Sequence, residues 1–183
     1  MSFLVVLMRA TFLLIMLQGG LLAPSFAEQT CDTSQYPLSS PTERFSDTGD
    51  GTVTDDLAQL MWMRCSAGQT WSDGTCIGEA VAYDWQGAQE LAAATNVSGA
   101  QFFNDWRVPS LRDLAMIAER QCENPRINLA VFPNTPPRVF WTDSLRPGEG
   151  FEDHAYALSF GPGGVQHEAK TARHAVRLVR TAP

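Results

Sequence analysis

Lysine is nearly missing from this chain: of 13 basic residues 12 are arginine, and Lys170 stands alone. Base is also short relative to acid, with 20 aspartates and glutamates giving a formal net charge of −7. A chain so acidic has no general attraction to nucleic acid or to an anionic membrane surface, so nucleic-acid partners are excluded. No internal repeat or low-complexity tract interrupts it, and its length fits one globular domain. The motifs of several chemistries are absent as well. There is no Gly-x-Ser-x-Gly elbow to expose a nucleophilic serine. The three histidines, His154, His167 and His174, include no pair at i, i+4 and no His-x-His. They read as loop residues, and no catalytic residue is assigned.

Cysteine is sparse, with only Cys31, Cys65, Cys76 and Cys122. None has a second cysteine or a histidine at ligand spacing, which argues against zinc, so no metal and no cofactor is expected. Asp50-Gly51 invites comparison with a calcium loop, but Ser46 and Thr48 then stand where carboxylates belong.

What is present begins with an apolar run over residues 3–8 and 10–17, broken only by Arg9 and followed by Leu21, Leu22, Ala23 and Pro24. Ser25-Phe26-Ala27 supplies a small-x-small cleavage site. Residues 1–27 therefore read as a signal peptide cleaved after Ala27, and not as a retained anchor of the ~20 apolar residues a bilayer requires. No transmembrane segment is expected after processing. The expected location is periplasmic, or secreted to the cell surface. Removing the leader takes away Arg9 alone among the charged residues, so the formal charge becomes −8.

An even number of cysteines in an exported chain reads as disulfides, with three connectivities available. Cys65 and Cys76 enclose a polar, glycine-containing loop that closes cheaply, so these two are expected to pair. Cys31 is then left to pair with Cys122, tethering residues 28–42, an extended lead-in containing Pro37 and Pro41. Residues 43–183 form the domain.

Within it, Arg44-Phe45-Ser46-Asp47 and Thr52-Val53-Thr54-Asp55 read as a hairpin turned by Gly49 and Gly51. Leu60-Met61-Trp62-Met63-Arg64 reads as a buried strand. Residues 84–94 have helical spacing, with Asp84 as cap and Trp85, Ala88, Leu91 and Ala92 on one face. A second helix starts at Ser110, where Asp113 completes a capping box and Leu111, Leu114, Ile117 and Ala118 form the buried stripe. Strands are expected over 139–142, 155–160 and 175–180.

Several strings resemble one family. They are Gly49-Asp50-Gly51-Thr52-Val53-Thr54-Asp55, Leu60-Met61-Trp62, Gly68-Gln69-Thr70-Trp71, Asp105-Trp106-Arg107-Val108-Pro109, Val131-Phe132-Pro133-Asn134-Thr135-Pro136 and Val176-Arg177-Leu178-Val179-Arg180. In order, from Arg44 to Arg180, they are similar to the Lcl C-terminal domain family, named for a collagen-like adhesin. The resemblance implies an α+β, C-type-lectin-like fold near the formylglycine-generating-enzyme branch, with two helices flanking small antiparallel sheets. For the founding adhesin the domain is associated with sulfated polysaccharides. Net negative charge is the wrong sign for long-range attraction of such ligands.

The expected function is a non-catalytic, adhesin-like binding module of the cell envelope or surface that recognises a glycan or a surface protein. Expected contacts are Trp141, Asp143, Arg146, Phe151, His154 and His167. Trp62, Trp85, Trp106 and Arg107 are expected to be scaffold, with Trp106 covering the end of the Leu111 and Leu114 stripe. The rival readings are an enzyme of the formylglycine-generating type and a structural subunit of a surface appendage.

Overall fold

The computed structural model describes residues 28–183. The expected signal peptide, residues 1–27, lies outside the described residues. The chain opens with β1 (Thr30–Cys31), β2 (Phe45–Asp47), β3 (Thr52–Asp55) and β4 (Leu60–Met63). Short strands β5 (Thr70–Ser72), β6 (Thr75–Ile77) and β7 (Ala82–Tyr83) lead to helices α1 (Trp85–Ser98) and α2 (Leu111–Met116). Then follow β8 (Cys122–Glu123), β9 (Val139–Leu145), β10 (His154–Ser159), β11 (Val165–Ala169), β12 (His174–Ala175) and β13 (Val179–Thr181).

These elements make an α+β fold of small sheets. One has five strands in the order β11-β10-β9-β12-β7, one has four in the order β13-β4-β3-β2, and two are two-stranded pairs, β1-β8 and β5-β6. All pairings are antiparallel except β12 against β9.

The five-stranded sheet is covered on both faces. Successive strand residues point to opposite sides, and Phe140 and Trp141 show the consequence. Phe140 pairs with Leu158 and packs in the cluster that holds Leu114 and Ile117, on and just after α2. Trp141 pairs with Ala157 and packs with Ala88 and Ala92 of α1. Both aromatics are 0 % exposed. This corrects the reading of Trp141 as a ligand contact: its indole belongs to the core, and its Nε1 donates to the Tyr83 carbonyl at 2.8 Å. In the four-stranded sheet Val53, Trp62 and Val179 stand in one row and are all buried.

The helix ends follow their sequence signals. The Asp84 carboxylate accepts the Gly87 N–H at 2.7 Å, and α1 runs on past residue 94 until Gly99 takes the left-handed conformation at φ 65°. Ser110 and Asp113 form a reciprocal capping box at α2.

Both expected disulfides form, Cys31 with Cys122 and Cys65 with Cys76. The segment inside the second is a hairpin, not an open loop. Asp73 and Gly74, with φ values of 50° and 81°, give the double positive turn that joins β5 to β6. The strand expected over 175–180 is divided between the two larger sheets. Between its halves the fully buried Arg177 donates to the carbonyls of Met63 and Arg64 and to the hydroxyls of Ser66 and Thr135.

Candidate functional site

The loop from β9 to β10 and the hairpin from β10 to β11 bring four side chains into one patch. Tyr156 pairs with His167 across the hairpin, so His154, two residues before Tyr156, shares its face of the sheet with His167. The loop folds its Phe151 ring onto them. Ring centroids are 5.4 Å apart for Phe151 and His154, 5.3 Å for Phe151 and His167, and 5.5 Å for the two imidazoles, all edge-to-face. The Arg146 guanidinium covers the Phe151 ring at 3.1 Å. Backbone bonds hold the loop in this shape: Phe151 N–H to Gly148 O at 3.2 Å, His154 N–H to Phe151 O at 2.9 Å, and Arg146 N–H to His154 O at 3.3 Å.

Two polar atoms of the patch, Arg146 Nη1 and His154 Nδ1, are buried without a hydrogen-bond partner among the described residues. Buried groups of this kind cost free energy until they are satisfied. His167 is exposed, while Arg146, Phe151 and His154 are half-buried. The arrangement can offer aromatic edge, a cation and imidazole N–H groups to one ligand.

A model of the Lcl C-terminal domain family matches residues 51–180, about seven-tenths of the chain. The chain belongs to the Lcl C-terminal domain family. Among curated proteins none matches it. The Lcl C-terminal match begins at Gly51, so Cys31 and residues 28–50 lie outside it.

The other expected contacts of this Lcl C-terminal domain sit apart from the patch. Trp141 is core. Asp143 lies toward α2, where burial pushes its carboxyl up and Arg107 acts in the opposite sense. Arg107 itself is structural in its contacts. Its backbone exchanges hydrogen bonds with Val179 at 2.9 and 3.0 Å, and its guanidinium pairs with Asp113 at 2.9 Å. Trp62 and Trp106 are buried, and Trp85 Nε1 donates to the Thr142 carbonyl at 2.9 Å. Trp106 corrects one expectation. It packs with Ala88 and Ala92 on the α1 side and not on the Leu111 and Leu114 stripe, held there by hydrogen bonds between its backbone N–H and carbonyl and the side chain of Asn96 on α1.

A cleft away from the patch was not legible in sequence. It has a volume of about 540 Å³, with apolar walls from Ile77, Ala80, Pro125, Leu129, Pro136 and Pro137. Its walls come from separate segments of the chain, which no local spacing connects. The Pro136-Pro137-Arg138 string was the one local signal. Among the described residues no group of three His, Cys, Asp or Glu side chains could hold a metal ion.

Proposed function

We propose that this chain is a non-catalytic, adhesin-like binding module of the cell envelope or surface, recognising a glycan or a surface protein through Arg146, Phe151, His154 and His167. One observation carries the reading: four residues from a loop and two strands converge on a single patch with unsatisfied polar atoms. The aromatic edge suits the C–H face of a sugar or an apolar side chain. Guanidinium and imidazole N–H groups suit hydroxyls and carbonyls.

Membership of the Lcl C-terminal domain family supports an adhesin-related role, and the α+β arrangement with a helix against each face of the main sheet fits a C-type-lectin-like fold. All four cysteines are paired, which suits an oxidising compartment outside the cytoplasm. Among the described residues no helix is long and apolar enough to cross a membrane. Paired cysteines also leave no thiol for chemistry of the formylglycine-generating type.

The test is a glycan array read at two salt concentrations with the processed protein, beside a pull-down from envelope proteins. A ligand whose binding is weakened at least tenfold by Phe151→Ala and by His154→Ala supports the patch. Ligands indifferent to both substitutions would move the site elsewhere.

A further inference from the structure

A second depression, of about 330 Å³, is lined by Ala80, Ala82, Arg138, Val139, Arg173, His174 and Ala175. No carboxylate lies among these residues, in a chain whose formal charge is −7. Arg138 and Arg173 are both exposed, and neither makes an ion pair among the described residues. Arg173 is steadied by donating to the Ala82 carbonyl at 2.6 Å, which fixes the guanidinium on the groove wall. The groove adjoins the proline-walled cleft, since Ala80 and Arg138 line both.

An apolar cleft that opens beside an acid-free groove with two guanidinium groups matches one kind of molecule. We propose that the two depressions form a single site for a single-chain amphiphile, with the hydrocarbon chain in the cleft and the anionic head at Arg138 and Arg173. The cleft alone falls within the ~300–1,000 Å³ typical of small-molecule sites. Ile77 is 52 % exposed although it forms part of the apolar wall, so a bound chain would cover surface that water now touches. The carboxylates on the cleft, Glu28 and Glu79, are exposed and leave Arg138 unpaired. They line the cleft and not the groove, so the head binds on the groove side. The site shares no residue with the Phe151 patch and does not depend on it.

The experiment is titration calorimetry of the processed protein with octanoate, decanoate, decyl phosphate and decanol, each below its aggregation concentration. Affinity should rise about fourfold for each added methylene, the value of one buried CH₂. Arg138→Gln and Arg173→Gln should each weaken decanoate or decyl phosphate at least fivefold and leave decanol unchanged, with the better of the two anions identifying the head. Ile77→Asp should abolish the chain-length dependence. All three positions are exposed, and an unchanged melting temperature verifies that each variant folds. Phe151→Ala should leave amphiphile binding intact, which keeps this result separate from the glycan test. Decanol binding as tightly as decanoate, arginine variants that bind like the parent, or no binding of either anion would overturn the proposal.

Discussion

The carboxylate of Glu119 accepts the backbone N–H of Ser40 at 2.7 Å across 79 residues of sequence. It also accepts the N–H and hydroxyl of Ser39, each at 3.0 Å, and the N–H of Gln121 at 2.9 Å. One buried acid thus fastens the lead-in to the exit of α2. Burial pushes its carboxyl up, but the N–H groups of Gln121, Ser39 and Ser40, with the Ser39 hydroxyl, outweigh burial and hold it below the ordinary value of 4.5. Its stabilising contribution is therefore present above 4.5 and is lost as pH falls through the lower folded value. Glu119→Gln should cost about 1–3 kcal/mol at neutral pH. The gap between parent and variant in denaturant unfolding should shrink on acidification. A gap that stays constant down to about pH 3 would rule out the carboxylate as its source.

The two disulfides close loops of very different length, 91 and 11 residues apart in sequence. In the chain-entropy relation these separations correspond to about 4.5 and about 2.5–3 kcal/mol. Replacing both Cys31 and Cys122 by serine should therefore destabilise more than the same change at Cys65 and Cys76. Parallel urea melts of the two double variants decide the order, and a larger loss from the short loop would refute it.

Much of this architecture was legible because it is written locally. Ser110 with Asp113 and Asp84 with Gly87 are short-range caps, and the pairing of Cys65 with Cys76 follows from a short loop. Family strings extended that reading to most of the chain. What escaped was set by distant partners. Strand β9 alternates between two faces that are both buried, so nothing in Val139-Phe140-Trp141 marks the indole as core. The direction of Trp106 is set by a distant partner, Asn96 on α1, and Arg177 breaks the last strand because its acceptors lie on residues 63–66 and 135. The Arg146, Phe151, His154 and His167 grouping was foreseen as a region. Its mutual packing depends on the β10–β11 register.

Arg177 is a fully buried guanidinium surrounded by carbonyls, hydroxyls and the Phe132 ring, 4.8 Å from its centre. Burial pulls its pKa down to about 9, which still leaves it a cation at neutral pH. Arg177→Lys keeps the charge but replaces a planar fork by a single ammonium that cannot span the same four acceptors. Both Arg177→Lys and Arg177→Ala should lower the melting temperature strongly, the alanine costing about 3–5 kcal/mol of stability, since it leaves unpaired acceptors as well as a void. Thermal melts of the two variants test this directly. Near-parental stability of Arg177→Lys would show that charge alone, and not the fork, is what the core requires.

The sharpest division is between Trp106, buried in the fold, and Phe151, the centre of the proposed binding patch. Trp106 is 2 % exposed, and its Nε1 donates to the Ala100 carbonyl at 3.1 Å. Its own backbone N–H and carbonyl both bond the Asn96 amide, at 2.7 and 2.9 Å, which ties the segment before α2 to the end of α1. Truncating it removes a large buried ring and leaves the Ala100 carbonyl without its donor, so Trp106→Ala should cost ~3–5 kcal/mol. Phe151 lies on the loop before β10 and His154 at the start of that strand, and both are only half-buried. Their alanine variants should stay within about 1 kcal/mol of the parent. Melting curves and binding titrations on the same purified variants separate the roles. Trp106→Ala should melt early and, where it remains folded at low temperature, bind like the parent, while Phe151→Ala should melt normally and bind poorly. If instead Trp106→Ala kept parental stability and lost the ligand, the indole would be a contact despite its burial, and the division of scaffold from site drawn through this domain would be reversed.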